Sequence, residues 1–327
     1  MRGEKPLYFF AKNKKNNSNF IKKSVYINRA IKKLGGKMEL LHRYTKDGLN
    51  LLGCHWRGKE DGTCIVFTHG MFDNIIENNF VEICGEKLSK KGYGFIFGHN
   101  RGYGVINSII VKDKESGRCS GKIIGSTYEK FGESIYDVDL WIETAKELGY
   151  SKIILASHSF GWLKNLYYIS KKGLENIEGV IMISPPDTAG LIGRWKKSKA
   201  MFLEAKINID EGHSKKIMEY KMLDIFPISS RTFYSYRKGG ILDIFPLVES
   251  PEEFGIFSKI DKPIFLALAE RDNIIVETPE KDIEKLKKYA KGTDDFHGEV
   301  ILGTTHRYIR KEEELVGKIC KWVEKRF

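Results

Sequence analysis

Short apolar runs recur along this 327-residue chain, each ending in a polar turn and followed by an amphipathic stretch. They are Thr63-Cys64-Ile65-Val66-Phe67, residues 93–97, Lys152-Ile153-Ile154-Leu155-Ala156, residues 179–184, Pro263-Ile264-Phe265-Leu266-Ala267-Leu268 and Val300-Ile301-Leu302. A strand that is apolar on both sides must be covered on both sides, and parallel strands between two helical layers are covered in that way. The stretches between the runs have helical spacing. Ile75, Ile76, Phe80, Ile83 and Leu88 share one side of 74–91, which Gly92 closes, and Gly149 closes 133–148. The alternation predicts an α/β fold: a mostly parallel, doubly wound sheet with helices on both faces and right-handed crossovers. Ahead of it, 38–44 and 49–56 flank the turn Lys46-Asp47-Gly48, a hairpin signal.

The alternation stops at Pro185-Pro186 and resumes near Ile260. The stretch between is too long for a plain loop and rich in aromatics, including Trp195, Phe226, Phe233, Tyr236, Phe245 and Phe257. It reads as a folded, mainly helical insertion over 187–259, dividing a core of 37–186 and 260–327. Its two similar segments, 223–227 and 242–246, do not amount to a repeat architecture. Residues 1–37 hold eleven Lys or Arg and one acid, Glu4, so most of the formal charge of +12 sits there. Residues 1–36 are therefore expected to be a solvated basic extension, suited at most to weak contact with an anionic surface. The rest of the chain is near neutral, which argues against a nucleic-acid partner. Cys54, Cys64, Cys84, Cys119 and Cys320 are odd in number and form no Cys-x-x-Cys pair, so neither zinc nor a disulfide framework is expected. No apolar run is long enough for a membrane helix and no signal peptide is visible, so the expected location is the cytoplasm.

Ser157-His158-Ser159-Phe160-Gly161 lies between the run 152–156 and a helical stretch starting at Phe160. A serine hydroxyl reacts as a nucleophile only if a base takes its proton and donors hold the resulting oxyanion. A sharp strand-to-helix turn exposes Ser159 Oγ and leaves the N–H of Phe160 at a helix start, where negative charge is favoured. Asp272 follows 263–268 and His306 follows Val300-Ile301-Leu302. A serine, an acid and a histidine thus come in order, each just past a strand. Asp187, after Ser184-Pro185-Pro186, is a rival for the acid. The position of Ser157 usually holds glycine in such a turn, and serine is among the next smallest residues.

In these motifs and their order, residues 37–327 resemble the α/β-hydrolase superfamily. The resemblance aligns His69-Gly70 with the end of the third strand, which nominates the N–H of Met71, with that of Phe160, for the oxyanion hole. It aligns Arg101-Gly102-Tyr103-Gly104 with the turn after the next strand, and 187–259 with the lid that follows the sixth strand. It implies a serine hydrolase whose triad is Ser159, Asp272 and His306. Such an enzyme would cleave an ester, thioester or lactone of a small, largely apolar acyl substrate, without metal or organic cofactor. An acyltransferase or thioesterase with the same triad is the alternative, and a non-catalytic binding protein is a further one. His69 and His158 are expected to shape their surroundings rather than react, and Arg101 to brace loops through its planar fork. The loop 105–130 has no counterpart in the resemblance.

Overall fold

The computed structural model describes residues 38–249 and 254–327. The basic extension lies outside the described residues. The chain opens with β1 (Met38–Tyr44) and β2 (Asn50–Trp56), an antiparallel hairpin in which Tyr44 faces Asn50. Then follow β3 (Thr63–Thr68), α1 (Val81–Lys90), β4 (Gly94–Gly98) and a second hairpin, β5 (Asn107–Lys112) with β6 (Cys119–Ile124). The central units are α2 (Ser134–Glu147), β7 (Lys152–His158), α3 (Gly161–Lys172) and β8 (Ile177–Ile183). After the insertion come β9 (Ile264–Arg271), α7 (Pro279–Tyr289), β10 (Phe296–Thr305) and α8 (Glu312–Arg326).

Eight strands form one sheet in the order β1-β2-β4-β3-β7-β8-β9-β10. Every pairing from β4 to β10 is parallel, and Val66 lies between Ile96 and Leu155. The twofold alternation of strand side chains divides the core in two. Cys64, Val66, Leu155, Val180, Met182 and Leu266 face α2, α3 and α7 on one side. Ile65, Phe67, Ile154, Ile181, Phe265 and Ala267 face α1 and α8 on the other. This is the mostly parallel, doubly wound sheet that the alternating runs predict, and the α/β-hydrolase architecture that the motif resemblance implies.

Two features differ from what the sequence predicts, the start of the first helix and the stretch 105–130. The first helix begins at Val81 rather than near residue 74, because asparagine side chains capture its leading amides. Asn74 Oδ1 accepts from the N–H of Ile76 and Glu77, and Asn78 Oδ1 from Phe80 and Val81. Such local bonds compete with helical ones until the ladder starts. The stretch 105–130 is no plain loop, since it contains the β5–β6 hairpin. The segment between β8 and β9 carries three helices, α4 (Thr188–Gly193), α5 (Ser198–Asp210) and α6 (Ser230–Tyr234), linked by long turn-rich stretches. The described residues contain no helix long and apolar enough to cross a membrane.

Candidate active site

The turn after β7 puts Ser159 in the left-handed region, with φ of 55°. A β-carbon is strained there, and such strain persists only where the surroundings enforce it. The Ser159 N–H donates to Ile183 O at 2.8 Å, which fastens the turn to the neighbouring strand. Space enforces it too. A Cβ on Gly161 would lie 2.2 Å from Thr68 O, and one on Gly70 would lie 3.0 Å from Ser159 Cβ. Ser157 is buried and fits, with Oγ 3.4 Å from Ile181 O.

Asp272, just beyond β9, meets His306, just beyond β10. His306 Nδ1 donates to Asp272 Oδ1 at 3.0 Å, leaving Nε2 as the ring nitrogen available for a hydroxyl. The carboxylate also accepts from Ser184 Oγ at 2.5 Å and from the N–H of Ile274 at 3.1 Å. Burial pushes the Asp272 carboxyl up, but the bonds from His306, Ser184 and Ile274 outweigh it and hold the group below its ordinary value. Ser184 Oγ is also 2.7 Å from the hydroxyl of Tyr308, which donates to Ala267 O. Asp187, the rival acid, stays apart from His306. It caps α4, accepting from the N–H of Gly190 at 2.8 Å and of Val248 at 2.7 Å.

His158 shapes its surroundings, as the sequence predicts, through one specific bond. Its Nε2 donates to the backbone carbonyl of His306 at 2.9 Å, tying the loop of that histidine to the serine turn. Burial, and then the nearby His306, lower the His158 pKa to about 3, so the ring is neutral. Ser159 Oγ makes no hydrogen bond among the described residues. The N–H groups of Met71 and Phe160 likewise have no protein acceptor among them.

The Met71 loop is held from below. His69 Nδ1 donates to Gly70 O at 2.8 Å, while the Asn100 N–H donates to His69 Nε2 at 3.0 Å, which fixes the tautomer. Asn100 Oδ1 accepts from Lys164 Nζ at 2.7 Å, and Lys164 pairs with Glu129 at 2.6 Å. Both charged side chains are almost wholly buried, at 1% and 3% exposure. This ion pair escaped the sequence reading. Arg101 braces loops as expected, with Asp137 at 2.9 Å, Glu133 at 2.6 Å and Asp47 at 3.1 Å.

The insertion is stitched to the core beside this region. Ser229 N–H donates to Thr127 O, Thr127 Oγ1 to Pro227 O, and Thr232 Oγ1 to Glu129 O, all within 3.0 Å. Phe226 stacks on Phe72, next to Met71, with ring centres 4.0 Å apart. Phe245 and Phe257 instead meet Trp162 of α3 edge-on and are buried. Among the described residues, no group of three or more His, Cys, Asp or Glu side chains is arranged to hold a metal ion.

A sequence profile for a family described as "Protein of unknown function (DUF1749)" matches residues 128–325. No curated protein sequence matches the chain. Among solved structures, DcsB in complex with its substrate analogue aligns at a TM-score of 0.64 with 13% identity, over 89% of this chain and 100% of that one. The Pyrococcus furiosus esterase Pf2001 aligns at 0.58 with 18% identity, over 90% and 93%. Est1E from Butyrivibrio proteoclasticus, solved with ferulic acid bound, aligns at 0.60 with 16% identity, over 88% and 98%.

Proposed function

The chain belongs to this family of unknown function, DUF1749, and from its α/β-hydrolase fold and the arrangement of Ser159, Asp272 and His306 we propose that it is a serine hydrolase of ester-type bonds. The observation that carries the reading is the Asp272–His306 bond, held against a strained serine turn by His158. Ser159 Oγ attacks the acyl carbon while His306 Nε2 takes its proton. The same nitrogen then returns the proton to the leaving alcohol or thiol. Asp272 fixes the Nδ1–H tautomer and steadies the imidazolium. The free N–H groups of Met71 and Phe160 receive the oxyanion, each such donor being worth roughly 3–4 kcal/mol of barrier. Water, deprotonated by His306, releases the acid from the acyl-enzyme. The substrate we favour is small and largely apolar, because the aromatic insertion meets the core beside Met71 at the Phe72–Phe226 stack.

A fluorophosphonate probe should label the wild type and leave Ser159→Ala unlabelled, with turnover of a 4-nitrophenyl ester lost in parallel. Asp272→Asn should lower kcat by roughly 10⁴ through the wrong tautomer, while Asp187→Asn should leave kcat within about threefold. Labelling that survives in Ser159→Ala, or the reverse ranking of the two aspartates, would refute the assignment.

A further inference from the structure

A cavity of about 560 Å³ opens between the β5–β6 hairpin, residues 128–133 and the start of α6, and none of the proposed triad residues lines it. Its charges do not balance locally. Arg101 is answered by Asp137, Glu133 and Asp47, Lys130 by Glu133, and Glu129 by Lys164. Three lining cations remain: Lys122 on β6, Lys215 and Arg231. None of them makes an ion pair within 4 Å among the described residues, although Glu133, which also lines the cavity, attracts Arg231 through space, and Lys122 and Lys215 make no hydrogen bond there either.

Arg231 is the most telling of the three. One terminal nitrogen of its guanidinium donates to Tyr128 O at 2.9 Å and its Nε is buried without a hydrogen-bond partner, which leaves the other terminal nitrogen to meet a ligand. A buried donor left unsatisfied costs free energy, and a charged one costs more. Ile123 adds an exposed apolar surface beside these cations, backed by the buried Leu49 and Ile124.

We propose that this cavity is a binding site for an organic phosphate monoester, with the phosphate held by Arg231, Lys122 and Lys215 and the organic part against Ile123. A phosphate dianion brings three acceptor oxygens to a planar guanidinium fork and two flexible ammonium groups, which matches donor number and charge better than a single carboxylate does. The apolar wall rewards a ligand with a carbon body over the bare ion. The site is separate from Ser159 and does not depend on the hydrolase reading.

Calorimetric titration of the full chain with phenyl phosphate, and with inorganic phosphate beside it, tests the proposal. Phenyl phosphate should bind more tightly, and its affinity should fall as salt rises. Arg231→Gln should weaken it by roughly tenfold or more, the loss expected for one charge-assisted bond. Lys122→Gln, on an exposed hairpin position, should weaken it severalfold without affecting the fold. Ser159→Ala should bind as the wild type does. Equal affinity in wild type and both cavity variants would overturn the proposal. So would phenyl phosphate binding no tighter than inorganic phosphate, loss of binding in Ser159→Ala, or no binding by calorimetry at two temperatures up to about 10 mM ligand, weaker than a millimolar Kd.

Discussion

At the scale of single residues, the candidate site divides by how its members meet the chain. Ser159, Asp272 and His306 each sit at the end of a strand, where a run of apolar residues stops and a polar one begins, so the sequence exposes them. Lys164 and Glu129 give no such sign. A lysine in the first turns of a helix ordinarily lies in solvent, and only the packing of α3 against Asn100 draws this one inside. The pair is costly to break and cheap to replace whole. Lys164→Met leaves Glu129 buried and unpaired, so it should lower stability by roughly 3–5 kcal/mol, while adding Glu129→Leu should recover much of that loss. Denaturant midpoints of the two single variants and the double one check this. The double variant should still be slower in fluorophosphonate labelling than the wild type, because Asn100 loses the ammonium that anchors it under the Met71 loop. If the double variant is no more stable than Lys164→Met, the cost of the single variant lies in the lost bond to Asn100 rather than in the unpaired Glu129.

At the scale of elements, apolar runs flanked by helical spacing identified the strands of the central sheet and the helices between them, because burial on both faces writes itself into composition. The β5–β6 hairpin escaped because it is half exposed. Its strands mix lysine, serine and glycine with isoleucine, and only Ile109 and Ile124 are buried. The insertion was legible as a folded unit, though its aromatics serve two purposes that spacing does not separate. Phe257 is fully buried against Trp162, Phe245 and Phe254, whereas Phe226 is half-buried on Phe72. Phe257→Ala should therefore cost roughly 3–5 kcal/mol of stability. Phe226→Ala should cost less, because that ring is only half-buried, yet reduce kcat/KM for bulky apolar esters more than for acetyl esters. Thermal melts and an ester chain-length series read the two effects, and a Phe226→Ala enzyme with an unchanged preference would make that stack mere packing.

At the scale of the whole molecule, four histidines sit buried and neutral, spread over β2, the β3 and β4 ends and the serine turn. Burial, as the largest cause, lowers His55 and His99 to about 4 and His158 to about 3, and holds His69 well below its ordinary value. The unfolded chain takes up these protons near pH 6.5, and the folded chain does so only far lower. Between those values the unfolded state binds more protons, so stability is fully present above about pH 6.5 and falls as pH drops, by up to about 1.4 kcal/mol per unit for each histidine. Asp272, held below its ordinary value, adds its own loss only at lower pH. Urea midpoints should fall clearly between about pH 7.5 and pH 5, before most carboxylates titrate. An unchanged midpoint would mean that these rings are protonated inside the fold.

The position of the insertion also predicts an order of assembly. β8 pairs with β9 in register, but the chain between Ile183 and Ile264 must first be brought round to let them meet. The thermodynamic cost of that long closure is modest, since each doubling of a loop adds only about 0.6 kcal/mol, but distant pairings of this kind slow folding. β3, β4, β7 and β8 can pair before it happens, with Ser159 already on its turn. Asp272 and His306 arrive only with β9 and β10, on the late side of the closure. Reactivity would then report completion of the fold rather than its beginning. In refolding from denaturant, far-UV ellipticity should return first, and fluorophosphonate labelling should lag in a separate, slower phase. Labelling that rises in step with ellipticity would place the closure of β8 on β9 among the earliest events.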